Sequence, residues 1–148
     1  MIFEIGQPEH GWVNLTIGDG DFRLEADVSD VPSDFINEAI DALLRLLTIG
    51  GPQTVSLSLE PGYHTLLLNQ EADVFSLSVT TQGASADGLP HEIEGSFKEV
   101  VLPIFRAIKG FQSRDVEEMH WPQIESTALA SLVEVIEVKK ADLLSRAI

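Results

Sequence analysis

Alternation of apolar and polar residues with a period of two runs through the first two-thirds of the chain and constrains its fold more than any other feature. Residues 13–17 place valine, leucine and isoleucine at every second position, and residues 22–27 repeat the pattern with phenylalanine, leucine and alanine. Strands with one buried face show this period, because successive side chains point to opposite sides of a sheet. Residues 18–21 between them are glycines and aspartates, which tolerate positive φ, so the sequence predicts a β-hairpin.

A second hairpin and a further strand complete the predicted sheet. A Glu-Pro-Gly turn at residues 60–62 joins alternating stretches over residues 55–59 and 63–69. Proline presets φ in such a turn, and glycine takes the position that requires positive φ. The chain then turns into another alternating stretch over residues 74–81. The sequence therefore predicts an antiparallel sheet of five strands, or of six if residues 2–5 also pair.

The clearest predicted helix is inserted between the two hairpins and runs from about Val31 or Ser33 to Leu47. Proline and acidic residues at its start suit the first turn of a helix, and Gly50-Gly51-Pro52 ends it. Its apolar residues cover more than the ~100° stripe of a surface helix. These residues are Phe35, Ile36, Ala39, Ile40, Leu43, Leu44, Leu46 and Leu47. We therefore expect the helix to be buried on two sides.

The segment that follows the strands begins with a predicted loop. Residues 82–94 are polar and rich in glycine, as long connections are. Ser96 and Glu99 then form a capping box, in which each side chain binds the other's backbone N–H, ahead of apolar residues at helical spacing. We expect a helix here, with Pro103 kinking or breaking it because proline removes a backbone donor.

A last helix is predicted from Pro122 to about Arg146. Residues 132–138 are rich in β-branched side chains, which favour strands, so a strand over this stretch is the alternative.

These elements predict a single α+β domain over residues 1–148. Its parts are a strand-rich acidic part over residues 1–81, the loop over residues 82–94 and a helical part over residues 95–148. A chain of 148 residues suits one domain with one core.

The acidic residues are concentrated in one part of the chain. Residues 1–97 hold 16 of the 24 acidic residues and only two basic ones, Arg23 and Arg45. Residues 98–148 are nearly neutral, with seven basic and eight acidic residues. The asymmetry favours a basic protein partner and disfavours nucleic acids and anionic membrane surfaces, which are themselves negative. The alternative is that the acidity serves solubility alone.

Composition also bears on the compartment. The chain has no cysteine, which fits a reducing environment. Residues 1–10 lack the basic and apolar regions of a signal peptide, and no apolar run approaches the ~20 residues that cross a bilayer. We therefore expect a cytoplasmic protein that does not cross a membrane.

No sequence motif indicates catalysis. The chain contains neither a Gly-x-Ser-x-Gly elbow nor a glycine-rich phosphate loop. Paired carboxylates are uninformative, because 24 acidic residues place some of them together by chance. The sequence leaves enzymatic activity undecided but favours its absence, and it predicts no cofactor.

Metal binding is also not expected. Residues 19–21 resemble the start of a calcium loop, but Leu24 occupies the position that such a loop reserves for glycine. The four histidines lack the spacing of a zinc-binding helix. His91 with Glu92 and Glu94 is the alternative metal cluster, which we consider the weaker interpretation.

The region of the first hairpin is the predicted binding surface. Trp12 is in phase with Asn14 and Thr16, which places it on the polar face of its strand, where exposed tryptophans serve as binding hot spots. The neighbouring acids protrude from the turn and from the same face. The predicted partner-binding residues are Trp12, Asp19, Asp21, Glu25 and Asp27. The alternative is that Trp12, like Trp121, covers the rim of the core.

Three features together resemble a known class of proteins. Gly11-Trp12 at the first long strand, the capped leucine-rich helix over residues 33–47 and the Glu-Pro-Gly turn at residues 60–62 are similar to those of small α+β immunity proteins of bacterial polymorphic toxin systems. The resemblance covers residues 10–80 and implies a protein that binds one toxin domain, often a basic nuclease, and blocks it without chemistry. It transfers no functional residue to this chain.

Three functions follow as hypotheses. The first is a non-enzymatic inhibitor of the immunity type, whose acidic surface binds a basic protein such as a toxin domain. The second is a small-molecule-binding domain or an enzyme of unknown reaction, with a pocket between the sheet and the C-terminal helices. The third is a structural module that forms a homodimer.

Overall fold

The computed structural model describes residues 1–82 and 90–146, which form an antiparallel sheet of seven strands and three α-helices. Each strand pairs with its neighbour in the chain, so the order across the sheet is the order in sequence. The strands are β1 (Ile2–Ile5), β2 (Trp12–Asp19), β3 (Phe22–Ser29), β4 (Gln53–Ser58), β5 (Tyr63–Glu71), β6 (Val74–Gln82) and β7 (His91–Gly95). The helices are α1 (Phe35–Thr48), α2 (Leu102–Gln112) and α3 (Ser126–Arg146), and a π-helical turn (Phe97–Val101) precedes α2. The predicted α+β class and antiparallel sheet are confirmed.

The predicted number of strands is too low. The sheet has seven strands within the described residues, where the sequence predicted five or six. β1 pairs with β2 as the six-stranded version requires, and β7 pairs with β6 inside the stretch that was predicted to be a loop, residues 82–94. Residues 83–89 of that loop lie outside the described residues. Ile93 is the one buried apolar residue of β7, too few to produce a detectable alternation.

Helix α1 confirms the predicted helix, although it begins at Phe35, four residues after Val31 and two after Ser33, and ends at Thr48, one residue after Leu47. It starts at Phe35 because Asp34 is its N-cap: the carboxylate accepts hydrogen bonds from the backbone N–H groups of Ile36 and Asn37. One side of α1 packs on β4 and β5, and another packs on α3. Both predicted buried sides are therefore present.

The least extensive strand pairing of the described sheet is between β3 and β4, the two strands that α1 connects. Within the described residues, one pair of residues, Ser29 and Ser58, joins β3 to β4. Glu38 of α1 lies beside this junction: its carboxylate accepts hydrogen bonds from the Ser56 N–H at 2.9 Å and from the Ser33 hydroxyl at 3.2 Å. The helix thus supplies the hydrogen-bond acceptor that a longer β3–β4 pairing would supply.

The first C-terminal helix begins as predicted but with a different backbone geometry. Ser96 and Glu99 form the predicted capping box, and the chain is then helical without interruption to the end of α2. The prediction that Pro103 breaks the helix is wrong. Pro103 lies directly after the π-helical turn, whose wider backbone spacing accommodates the proline ring within the continuous helix.

Helix α3 extends to Arg146, the last residue that the structure describes, but begins at Ser126 instead of Pro122. The alternative strand over residues 132–138 is wrong, because the buried residues of α3 recur at helical spacing. Leu129, Leu132 and Ile136 are buried along this stripe, and α3 packs against α1. The apolar stripe overrides the strand preference of the β-branched residues.

A partly buried polar network ties the connection between α2 and α3 to the start of α1. The indole N–H of Trp121 donates a hydrogen bond to Asp34 at 2.9 Å. The Asn37 amide donates to Asp34 at 2.7 Å and to the Gln123 carbonyl at 2.9 Å, and its oxygen accepts from the Glu125 N–H at 2.8 Å. Burial raises the pKa of Asp34 above its usual range, although the hydrogen bonds from Trp121, Ile36 and Asn37 oppose this.

The raised pKa of Asp34 predicts a specific pH dependence of stability. Its contribution to the free energy of unfolding is fully present below the ordinary aspartate pKa of about 3.9 and is lost as the pH rises through the raised pKa of the folded state. Asp34→Asn keeps an acceptor oxygen at the N-cap but does not titrate. We expect the unfolding free energy of the variant, relative to that of the wild type, to increase as the pH rises from the ordinary aspartate pKa through the raised pKa of Asp34.

Urea denaturation at a series of pH values measures this difference. If Asp34→Asn loses the hydrogen bond from Asn37, the unfolding free energy of the variant falls by the same amount at every pH. Its change with pH relative to the wild type is unaffected. Asp41→Asn, at an exposed position of the same helix, controls for the loss of one negative charge. A relative stability that falls with rising pH would contradict the prediction.

Candidate protein-binding face

The side of β1–β3 that faces away from the helices carries carboxylates in register. In the pairing of β2 with β3, Asn14 lies opposite Asp27 and Thr16 lies opposite Glu25. In the pairing of β1 with β2, Glu4 lies opposite Thr16. Side chains of directly paired residues point to the same side of a sheet, so Glu4, Glu25 and Asp27 share one surface. We call this surface the acidic face.

Trp12 lies at one end of the acidic face. Its side chain is 38% exposed and lies on the same side of β2 as Asn14. Backbone hydrogen bonds in both directions between Trp12 and Glu9, at 2.8 and 3.0 Å, hold its backbone in place. The indole is therefore presented to solvent by a fixed segment of strand, as the sequence predicted for the polar face.

A shallow depression of about 370 Å³ lies beside the indole. Gln7, Glu9, Trp12, Asn14 and Asp27 are among the residues that line it. An aromatic wall next to carboxylates suits the cationic side chain of a lysine or an arginine, because both the ring face and the acids attract positive charge.

The four predicted acids of the hairpin are not equivalent. Glu25 accepts hydrogen bonds from the Arg23 guanidinium at 2.8 and 3.1 Å, which neutralises part of its charge. Asp27 accepts a longer hydrogen bond, 3.4 Å, from the neutral Asn14 amide and keeps its full charge. Asp27 is thus the strongest source of negative potential among the predicted residues of the acidic face.

Asp19 and Asp21 are exposed at the tip of the hairpin, apart from the acidic face. Asp19 pairs with Phe22, whose side chain is on the same side of the sheet as the core residues Leu24 and Val28. The structure therefore brings together Trp12, Glu25 and Asp27 but places Asp19 on the other side. Sequence reasoning missed Glu4, whose position depends on the register of β1, and Glu9, which lies outside the strands.

Two titratable side chains whose pKa values are shifted by burial serve the fold. Burial lowers the pKa of His64, and its Nδ1 atom lies 2.8 Å from the Thr81 hydroxyl on the adjacent strand. Asp34 belongs to the network around α1 described above. Neither lines the depression beside Trp12.

The four histidines lie far apart in the sequence, and within the described part of the chain they do not join other ligands in a metal site. Across residues 1–82 and 90–146, no group of three or more histidine, aspartate or glutamate side chains is arranged to hold a metal ion. The Nδ1 atom of His120 accepts a hydrogen bond from the His10 backbone N–H at 3.1 Å, and the two rings lie 4.9 Å apart. This pair joins the segment before β2 to the segment before Trp121.

Comparison of the chain with protein-family models, with curated proteins and with solved structures finds no match. The resemblance to immunity proteins stays a prediction. Within the described part of the chain, no helix is both long enough and apolar enough to span a membrane.

Proposed function

We propose that the protein is a non-enzymatic binding module of the immunity type, which captures a basic protein on the acidic face. The observation that carries the proposal is an exposed tryptophan fixed beside carboxylates that lie in register on paired strands. Tryptophan is enriched among the residues that dominate binding energy at protein interfaces. The positions of Trp12 and Asp27 around one depression provide a hot spot and its electrostatic complement together.

The geometry favours a protein partner over a small molecule at this face. A sheet surface is broad and rigid, and its depression is shallow, whereas small ligands are enclosed by deep and mostly apolar pockets. Carboxylates around the hot spot act on the rate of encounter, because opposite charges steer a partner towards the surface before contact. The net charge of −15 adds to this attraction at longer range.

Reversing two charges of the acidic face tests the proposal. The wild-type protein first captures its partner from lysate at low salt, and mass spectrometry identifies it; we expect a basic protein. Glu4→Lys with Asp27→Lys is then expected to slow association by about tenfold or more at low ionic strength. The effect should be much smaller near 1 M salt, where the Debye length is about 3 Å.

A matched reversal separates the acidic face from net charge. Glu118→Lys with Glu134→Lys changes the net charge by the same amount at exposed positions elsewhere, so we expect a clearly smaller effect on association. Both pairs should leave the free energy of unfolding nearly unchanged, because exposed charges contribute little. An acidic or neutral partner would refute the proposal, and so would equal effects of the two reversals.

A further inference from the structure

An apolar groove of about 560 Å³ lies on a different part of the molecule from the acidic face. It is bounded by the start of β6, the π-helical turn with α2, and the end of α3. Its apolar walls are formed by Phe75, Phe97, Leu102, Leu143 and Leu144. Two of these, Leu143 and Leu144, are exposed to solvent although they are large and apolar. The volume is within the range of about 300–1,000 Å³ that small-ligand sites occupy.

Positively charged side chains also line the groove. Among the residues that the structure describes, four of the nine basic residues of the chain line the groove, and Asp73 is the one acidic residue that does so. The basic residues are Lys98, Arg106, Lys140 and Arg146. In a chain with 24 acidic residues, this concentration makes the groove opposite in sign to the protein as a whole.

Two of the four cations already have carboxylate partners. Arg146 lies 3.3 Å from Asp73, and Lys140 lies 3.6 Å from Glu137. Within the described part of the chain, Lys98 and Arg106 form no ion pair. Both lie on the same side of the helical segment, at steps of four residues on either side of Leu102, so their charge is available to the groove.

We propose that this groove binds an anionic amphiphile with a single apolar chain, such as a fatty acid. The apolar chain lies against the leucine and phenylalanine walls, where burial from water stabilises it. The carboxylate lies at Lys98 and Arg106, where charge-assisted hydrogen bonds compensate its desolvation. The site is separate from the acidic face, so the inference does not depend on the proposed function.

Charge also decides between a small anion and an acidic macromolecule. An acidic protein or peptide would extend beyond the four cations onto a surface whose overall charge is −15, and like charges would repel it. A single carboxylate with an apolar chain contacts the groove alone. The observations therefore favour the small amphiphile.

Titration with dodecanoate, followed by calorimetry and by the amide NMR signals of the groove residues, tests the proposal. Dodecyltrimethylammonium, which has the same apolar chain and a positive headgroup, is the comparison ligand. The net charge of the protein favours the cation, so tighter binding of dodecanoate requires the local cations of the groove. We expect dodecanoate to bind with a dissociation constant below about 1 mM and at least about tenfold more tightly than the ammonium compound.

Two sets of variants locate the site. Lys98→Met with Arg106→Met should weaken dodecanoate binding by about tenfold or more, which corresponds to about 1.4 kcal/mol. Lys109→Met with Arg45→Met removes the same two charge types at exposed positions outside the groove and should leave the affinity nearly unchanged. Leu143→Glu places a negative charge in the groove at an exposed helical position, so it should abolish binding while the fold is retained.

Several results would overturn the inference. They are no dodecanoate binding, equal binding of the two amphiphiles, or equal effects of the groove and control variants. Sedimentation velocity provides a further check, because a dimer that dissociates in Leu143→Glu would mean that a second copy of the chain covers the groove.

Discussion

Replacing Leu43 by alanine is expected to destabilise the protein by about 2–5 kcal/mol, measured as the free energy of unfolding in urea. Leu43 lies in the middle of α1 and is 0% exposed. The helix is enclosed by β4 and β5 on one side and by α3 on another, so the neighbouring side chains cannot collapse into the space. The cost therefore includes both the lost burial and the cavity that remains.

The matched control for this substitution is Leu144→Ala. Leu144 also lies on a helix, but it is 70% exposed, so the same chemical change removes little buried surface. We expect a change of less than about 0.5 kcal/mol, as for ordinary surface positions. A cost below 1 kcal/mol for Leu43→Ala would mean that α1 is peripheral to the core.

Trp121→Ala is expected to have a comparably large effect, about 3–5 kcal/mol. The side chain is 1% exposed, and its ring packs edge-on against Phe35 with 5.8 Å between ring centroids. Its indole N–H donates to Asp34, the N-cap of α1. The substitution thus creates a cavity and also removes one of the donors that compensate for the burial of the Asp34 carboxylate.

Trp12→Ala is the control, because it makes the same substitution at the exposed tryptophan. We expect it to change the free energy of unfolding by less than about 1 kcal/mol and to weaken partner binding through faster dissociation. If Trp12→Ala were as destabilising as Trp121→Ala, the interpretation of Trp12 as a surface residue would be wrong. A double-mutant cycle that combines Trp121→Ala with Asp34→Ala measures the interaction free energy between the two side chains. This energy is the part of the Trp121 effect that depends on the hydrogen bond to the N-cap.

The elements that the sequence predicted well are those that local patterns determine. The alternation around β2 and β3 and the cap at the start of α1 each act within a few residues, so one sequence is enough to identify them. β7 was not predicted, because Ile93 is its one buried apolar residue and a single residue shows no alternation. Its pairing with β6 is formed by backbone hydrogen bonds, which the sequence does not reveal. The π-helical turn before Pro103 could not be predicted, because capping and apolar spacing are common to both kinds of helix.

The surfaces depend more strongly on tertiary structure. Alternation within β2 and β3 was enough to place Trp12, Glu25 and Asp27 on one side of the strands. Asp19 is in phase with Val13, Leu15 and Ile17, so the same alternation already places it on the apolar side of β2, away from the predicted binding face. The ion pair of Glu25 with Arg23 depends on rotamers. The groove was beyond prediction, because its cations come from positions far apart in sequence that come together only when the end of α3 lies near the helical segment at Lys98.

The sequential order of the strands has a kinetic consequence. Hairpins such as β2–β3 and β5–β6 bring together residues that are close in the chain, so most strand pairings close short loops and form quickly. The exception is the junction at Ser29 and Ser58, where the loop to be closed contains the whole of α1. The hydrogen bond from the Ser56 N–H to Glu38 joins α1 to β4. It closes a shorter loop than the pairing of Ser29 with Ser58 does. We therefore expect the two parts of the sheet, β1–β3 and β4–β7, to form as separate folding units, with α1 as the link through which they become one cooperative structure.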